Sequence, residues 1–99
     1  MNPENYDRDI NQYINQIKSA HTADDKQVRV DRLIVLLAKI EKELTTIETT
    51  LDKLTNHIKK NPNSYKANTI NTIVSKKATV VRLKDKIAKT RLNLNYFFM

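Results

Sequence analysis

The chain is predicted to be all-α. The expected architecture is a long antiparallel helical hairpin, coiled-coil-like, with a shorter N-terminal helix packed at its open end. It would close as a three-helix bundle or as a dimeric four-helix bundle. Three observations carry this expectation. The 99 residues contain no Gly and only two Pro, whereas sheets joined by tight hairpin turns usually need Gly. Between residues 30 and 58, Val30, Leu33, Leu37, Ile40, Leu44, Ile47, Leu51, Leu54 and Ile58 recur at alternating spacings of 3 and 4, the seam of a long packed helix. Asn61-Pro62-Asn63-Ser64 then interrupts the pattern, and a short break of this kind sets two helices antiparallel.

A first helix is expected over 3–20. Asn2 can cap it, Pro3 suits the first helical position, and Glu4 suits the positive pole of the dipole. Tyr6, Ile10, Tyr13, Ile14 and Ile17 fall on one stripe, which points to packing on the other helices. Thr22, with Asp25 three residues on, is a capping-box variant opening a second helix over 23–60. That helix is apolar beyond its seam in the first half (Ile34, Val35, Leu36, Ala38) and keeps only the seam in the second. The turn occupies 61–64, with Asn61 expected in the left-handed conformation and Ser64 or Asn63 capping a third helix over 65–97. The whole chain, 1–99, reads as one helical domain.

Folding the sequence at the turn yields a register. Pairs whose numbers sum to 125 place Leu51 on Val74, Leu44 on Val81 and Leu37 on Ala88. Pairs summing to 127 place Leu54 on Ile73, Ile47 on Val80, Ile40 on Ile87 and Leu33 on Leu94. The first register also sets Glu48 opposite Lys77 and Glu41 opposite Lys84. Lys77, Lys84 and Arg91 would then lie between two apolar columns with their stems partly covered, and Arg91, facing Ile34, would lack a partner. Helix one is expected to cover Ile34, Leu36 and the terminal aromatics. The turn end is left as a bare two-helix prong.

Charge is uneven. The net charge is +7, and residues 61–99 hold eight basic side chains against one acid, Asp85. Such a block suits an acidic or polyanionic partner. The candidate partner-binding residues are Lys76, Arg82, Lys86, Lys89 and Arg91 with Tyr96, Phe97 and Phe98. Of these, Lys76, Arg82, Lys86 and Lys89 are expected to project freely.

Chemistry is hard to place on this chain. Without Gly there is no phosphate-cradling loop or nucleophile elbow. Without Cys there is no thiol nucleophile, disulfide or thiolate metal site. His21 and His57 are roughly 54 Å apart along one helix and cannot share a site. Glu41, Glu43 and Glu48 flank the seam without the Glu-x-x-His pattern of helical carboxylate metal sites, and salt bridges to the third helix suit them better. The threonines Thr45, Thr46, Thr49, Thr50 and Thr55 read as a weakly charged outer face. No catalytic residue, metal or cofactor is expected.

In size and shape the hairpin with its Pro-Asn turn is similar to small subunits and chaperones of secretion apparatuses, and the basic bundle is similar to bacteriocin immunity proteins. Neither resemblance transfers a residue. The expected function is a non-enzymatic protein–protein interaction module: an adaptor, chaperone or small inhibitor acting through helix packing, on another protein or on itself as a homodimer. Nucleic-acid binding through the basic helix 65–97 is the alternative, followed by an immunity-type or membrane-peripheral role. No apolar run is long enough to span a bilayer and the N-terminus is not a signal peptide, so a cytoplasmic location is expected.

Overall fold

The computed structural model describes residues 4–98 and is helical throughout, as the periodicity implies. Helix α1 spans Glu4–Lys18, α2 spans Ala23–Lys60 and α3 spans Ala67–Asn93. A 3-10 turn, Pro62–Ser64, joins α2 to α3, and a second one, Leu94–Phe98, follows α3. The molecule is a rod with extents of 60 × 19 × 17 Å. Asn2, Pro3 and Met99 lie outside the described residues.

Helix α2 starts as its sequence dictates: Thr22 is extended and its Oγ1 accepts the Asp25 backbone N–H at 3.0 Å. The reciprocal half of the capping box is not made. Asp25 is one methylene too short for it and instead takes Arg29, one turn on, at 3.1 Å. At the other end Asn61 is not left-handed. It adopts φ −135°, ψ 63°, and its backbone N–H reaches His57 O and Ile58 O, so the helix closes by tightening its last turn. Neither Asn63 nor Ser64 caps α3, because Pro62 draws both into the 3-10 turn. The helix begins two residues later than expected, with Lys66 at the N-cap and no side-chain cap bond. At the C-terminus the α-helix stops at Asn93 rather than running to 97.

The core is one cluster. Tyr6, Ile10 and Ile17 of α1 join Val30, Leu33, Leu37, Ile40, Leu44 and Leu51 of α2, and Ile73, Val80, Leu83 and Ile87 of α3. Helix α1 runs antiparallel to α2 and parallel to α3: Tyr6 reaches Glu43, Asp7 reaches Arg82 and Asn11 reaches Lys86. Three helices therefore pack at the open end. Beyond Glu43 and Arg82 the two long helices continue toward the turn as a pair.

The burial pattern of α3 differs from the expectation in one column. Ile73, Val80 and Ile87 are buried as foreseen, and Leu94 is half-buried. Val74 and Val81, placed on paper against Leu51 and Leu44, are 60% and 64% exposed, and Ala88 is exposed too. Their place is taken by the heptad row Ile70, Lys77, Lys84 and Arg91. Lys84 reaches Glu48 at 3.0 Å, Lys77 reaches Asp52 at 3.3 Å, and Arg91 pairs with Glu41. Glu48 and Glu41 thus each bond the base one heptad further along α3 than the paper register gives. Long basic side chains lie along the seam and span the offset. Arg91 is consequently not without a partner.

Candidate functional site

Among the described residues there is no cluster of three or more His, Asp or Glu side chains able to hold a metal. Nor is any helix among the described residues long and apolar enough to cross a membrane. The burial pattern divides the surface into three regions.

The first is the basic face that the sequence nominates. Arg82 and Lys86 do not project freely. They converge on Asp7 of α1, at 2.6 and 2.8 Å, and Lys86 also donates to Asn11 Oδ1 at 3.0 Å. Lys89 is paired one turn back with Asp85 at 2.9 Å. Of the four cations expected to be free, only Lys76 has no ion pair among the described residues. The signal was present in the sequence: Asp7 and Asn11 sit one turn apart on α1, as do Arg82 and Lys86 on α3. It becomes readable only once α1 and α3 are known to run parallel. Burial opposes ionisation of Asp7, but the hydrogen bonds and charges of Lys86 and Arg82 outweigh it and hold the carboxyl below its ordinary 3.8.

A second contact fixes α1 on its other side. The Tyr6 ring is buried and its hydroxyl donates to Glu43 Oε2. Burial, then the hydrogen bond to Glu43 and its negative charge, push the phenol up to about 12. The sequence placed Tyr6 on the apolar stripe of α1 but offered no sign of this bond, because Glu43 is 37 residues away.

The second region is apolar. Val74 and Val81 are seven residues apart on α3, and Ala88 and Leu92 continue the row, so all four share one side of the helix. Leu92 is 75% exposed. This side points away from α1, whose contacts on α3 are Arg82 and Lys86. Ile34, 44% exposed, stands one heptad from Glu41 on the matching edge of α2, outside the cover expected from α1. Between the two edges runs the ladder of Arg91–Glu41, Lys84–Glu48 and Lys77–Asp52. Val81 shares a shallow depression of about 170 Å³ with Glu48, Asp52 and Lys77. Of the aromatic tail, Phe97 packs on the core, while Tyr96 and Phe98 stay exposed; α1 does not cover them. Part of the predicted surface is thus available and part is core.

The third region is the turn end. Its outer face is polar: Thr45, Thr46, Thr49, Thr50 and Thr55 each donate a hydroxyl to the carbonyl one turn back. This explains how five threonines are accommodated on one helix: their hydroxyls are satisfied within it. His57 is held at the tip by Asn61 and packs edge-on to Tyr65, with ring centroids 5.6 Å apart.

No protein-family model, curated protein or solved structure matches this chain.

Two pH effects follow from the contacts of α1. Asp7 ionises more readily folded than unfolded, so its contribution is present above about pH 3.8 and is lost as pH falls through the lower folded value. Replacing Asp7 with Ala should cost about 2 kcal/mol at pH 7, and a urea titration should show the difference from the parent shrinking below pH 3.8. Tyr6 works in the opposite sense. Its neutral form is favoured in the fold, so the stability it contributes is intact below pH 10.0 and is lost as pH rises through about 12. Tyr6→Phe should flatten the alkaline limb of the pH–stability curve. An unchanged limb would place the ionising group elsewhere.

Proposed function

We propose that this chain is a non-enzymatic interaction module acting through helix–helix packing. Its docking surface is the side of α2 and α3 opposite α1, and its occupant is a second copy of the chain. The observation that carries this reading is the apolar row Val74, Val81, Ala88 and Leu92, which the fold leaves outside its own core. An isolated exposed valine is ordinary. Four small or aliphatic residues in one helical row, with Ile34 across the ladder, make a surface to which a further helix can dock.

Area supports it. A compact monomer of 11.5 kDa exposes about 5,800 Å², whereas this rod exposes 7004 Å². The excess, about 1,200 Å², exceeds the roughly 800 Å² that each partner contributes to an ordinary specific interface. Charge supports a second copy in particular. On this face α2 carries the acids Glu41, Glu48 and Asp52, and α3 carries the bases Lys77, Lys84 and Arg91. A two-fold axis along the rod sets the α3 row of one copy over the α2 row of the other, so opposite charges meet.

Sedimentation velocity across a concentration series tests this. The parent chain should sediment as a dimer, and Val74→Glu/Val81→Glu/Leu92→Glu should sediment as a monomer of unchanged helicity. A parent chain that remains monomeric at high micromolar concentration would overturn the self-docking reading. So would a dimer that survives the triple substitution.

A further inference from the structure

Between Asp52 and Asp85 the chain carries eight Lys and Arg and no acid, while the remainder carries ten basic and eleven acidic side chains. The entire positive excess therefore lies in the stretch of sequence that holds the turn. The fold then sorts these eight. Lys77, Arg82 and Lys84, nearest the bundle, are neutralised by Asp52, Asp7 and Glu48. Lys53, Lys59, Lys60, Lys66 and Lys76 have no ion pair among the described residues, and all five are exposed. Along the helix axes, Lys53 and Lys60 are about 10 Å apart and Lys66 and Lys76 about 15 Å. Other cations without an ion pair among the described residues, such as Lys18, Lys39 and Lys42, lie in the acid-bearing part of the chain, whereas these five fall in a stretch that has no acid.

Helix polarity explains Lys59 and Lys60, which sit in the last turn of α2 and offset its negative pole. It does not explain Lys66. That residue occupies the N-cap of α3, where Ser, Thr, Asp or Asn would stabilise, and it adds positive charge to a positive pole with no compensating hydrogen bond. A local rule broken without a structural gain is expected at functional positions.

We infer that this lysine cap binds the phosphate backbone of duplex nucleic acid, without sequence preference. Its neutral neighbours, including Asn63, Ser64, Asn68 and Asn71, are the side-chain types that donate to phosphate oxygens beside lysine. The one aromatic residue of the cap, Tyr65, is half-buried and held against His57, so there is no platform for stacking unpaired bases. The exposed large aliphatics between Lys53 and Lys76 are Leu54 and Val74, with no exposed Tyr, Phe or Trp beside them to enter a bilayer. The site is independent of the proposed docking face and stands or falls separately.

The test is fluorescence anisotropy of a labelled 20-base-pair duplex titrated with the full chain. With five phosphate contacts, log affinity should fall against log salt with a slope near −4.5, roughly 500-fold between 50 and 200 mM. Lys59→Gln/Lys60→Gln/Lys66→Gln should weaken binding at least about tenfold at 50 mM salt and reduce the slope by about 2.7. Lys18→Gln/Lys39→Gln/Lys42→Gln removes the same charge from the open end and should change affinity by no more than about twofold. Circular dichroism should show both variants as helical as the parent, and a double variant, Lys53→Gln/Lys76→Gln, should give the same direction of effect should the first prove less helical. Equal losses in the tip and open-end variants would overturn the assignment. So would a parent that binds phosphatidylserine vesicles but not the duplex, or that binds neither.

Discussion

One side of the hairpin is closed by lysine and arginine rather than by aliphatic side chains. The row Ile70, Lys77, Lys84, Arg91 occupies a seam column of α3 that an ordinary two-helix pairing would fill with apolar residues. Each base reaches across the seam to Asp52, Glu48 or Glu41. These pairs are partly exposed and individually worth little. Their consequence is geometric. With the bases lying along the seam, α3 is rotated so that Leu83, Ile87 and Thr90 face inward and Val74, Val81 and Ala88 face solvent.

That rotation lets α1 dock. Leu83 and Ile87 join Tyr6, Ile10 and Ile17 in one core, and two polar contacts fix the register of α1 from either side: Tyr6 on Glu43 of α2, and Asp7 between Arg82 and Lys86 of α3. The same rotation leaves the α1-facing side of α3 uncovered beyond Arg82, and there the sequence turns polar, with Asn68, Thr72, Ser75 and Thr79. The change in side-chain character along one face of α3 thus coincides with the end of α1. It marks how much of the rod is bundle and how much is exposed prong.

The helices, their order and the antiparallel hairpin were legible because the seam of α2 is regular over four heptads and because Pro62 permits no continuation. The column Ile73, Val80, Ile87, Leu94 was legible for the same reason. The other column was not. Val74, Val81 and Ala88 obey the same spacing as Lys77, Lys84 and Arg91, one turn removed, and hydrophobicity favours the valines. What decides the matter is α1, which takes the opposite flank of α3, and the acids of α2, which give the bases partners. The candidate surface was read less well, since pairing of Arg82 and Lys86 with Asp7 depends on a contact across 75 residues. Of the terminal aromatics, Phe97 belongs to the core, while Tyr96 and Phe98 are exposed. The lysines of the turn end were visible in the sequence, but only the ion pairs of the folded chain separate those left unpaired from those neutralised.

The rotation of α3 is the claim on which the docking face rests, and Val80 and Val81 test it as adjacent residues of one type on one helix. Urea unfolding at low protein concentration should show Val80→Ala losing about 2 kcal/mol, as expected for emptying part of a packed core. Val81→Ala should change stability by less than about 0.5 kcal/mol, as expected for an exposed helical site. Equal losses at the two positions, or the larger loss at Val81, would mean that the valine column and not the lysine column closes the hairpin.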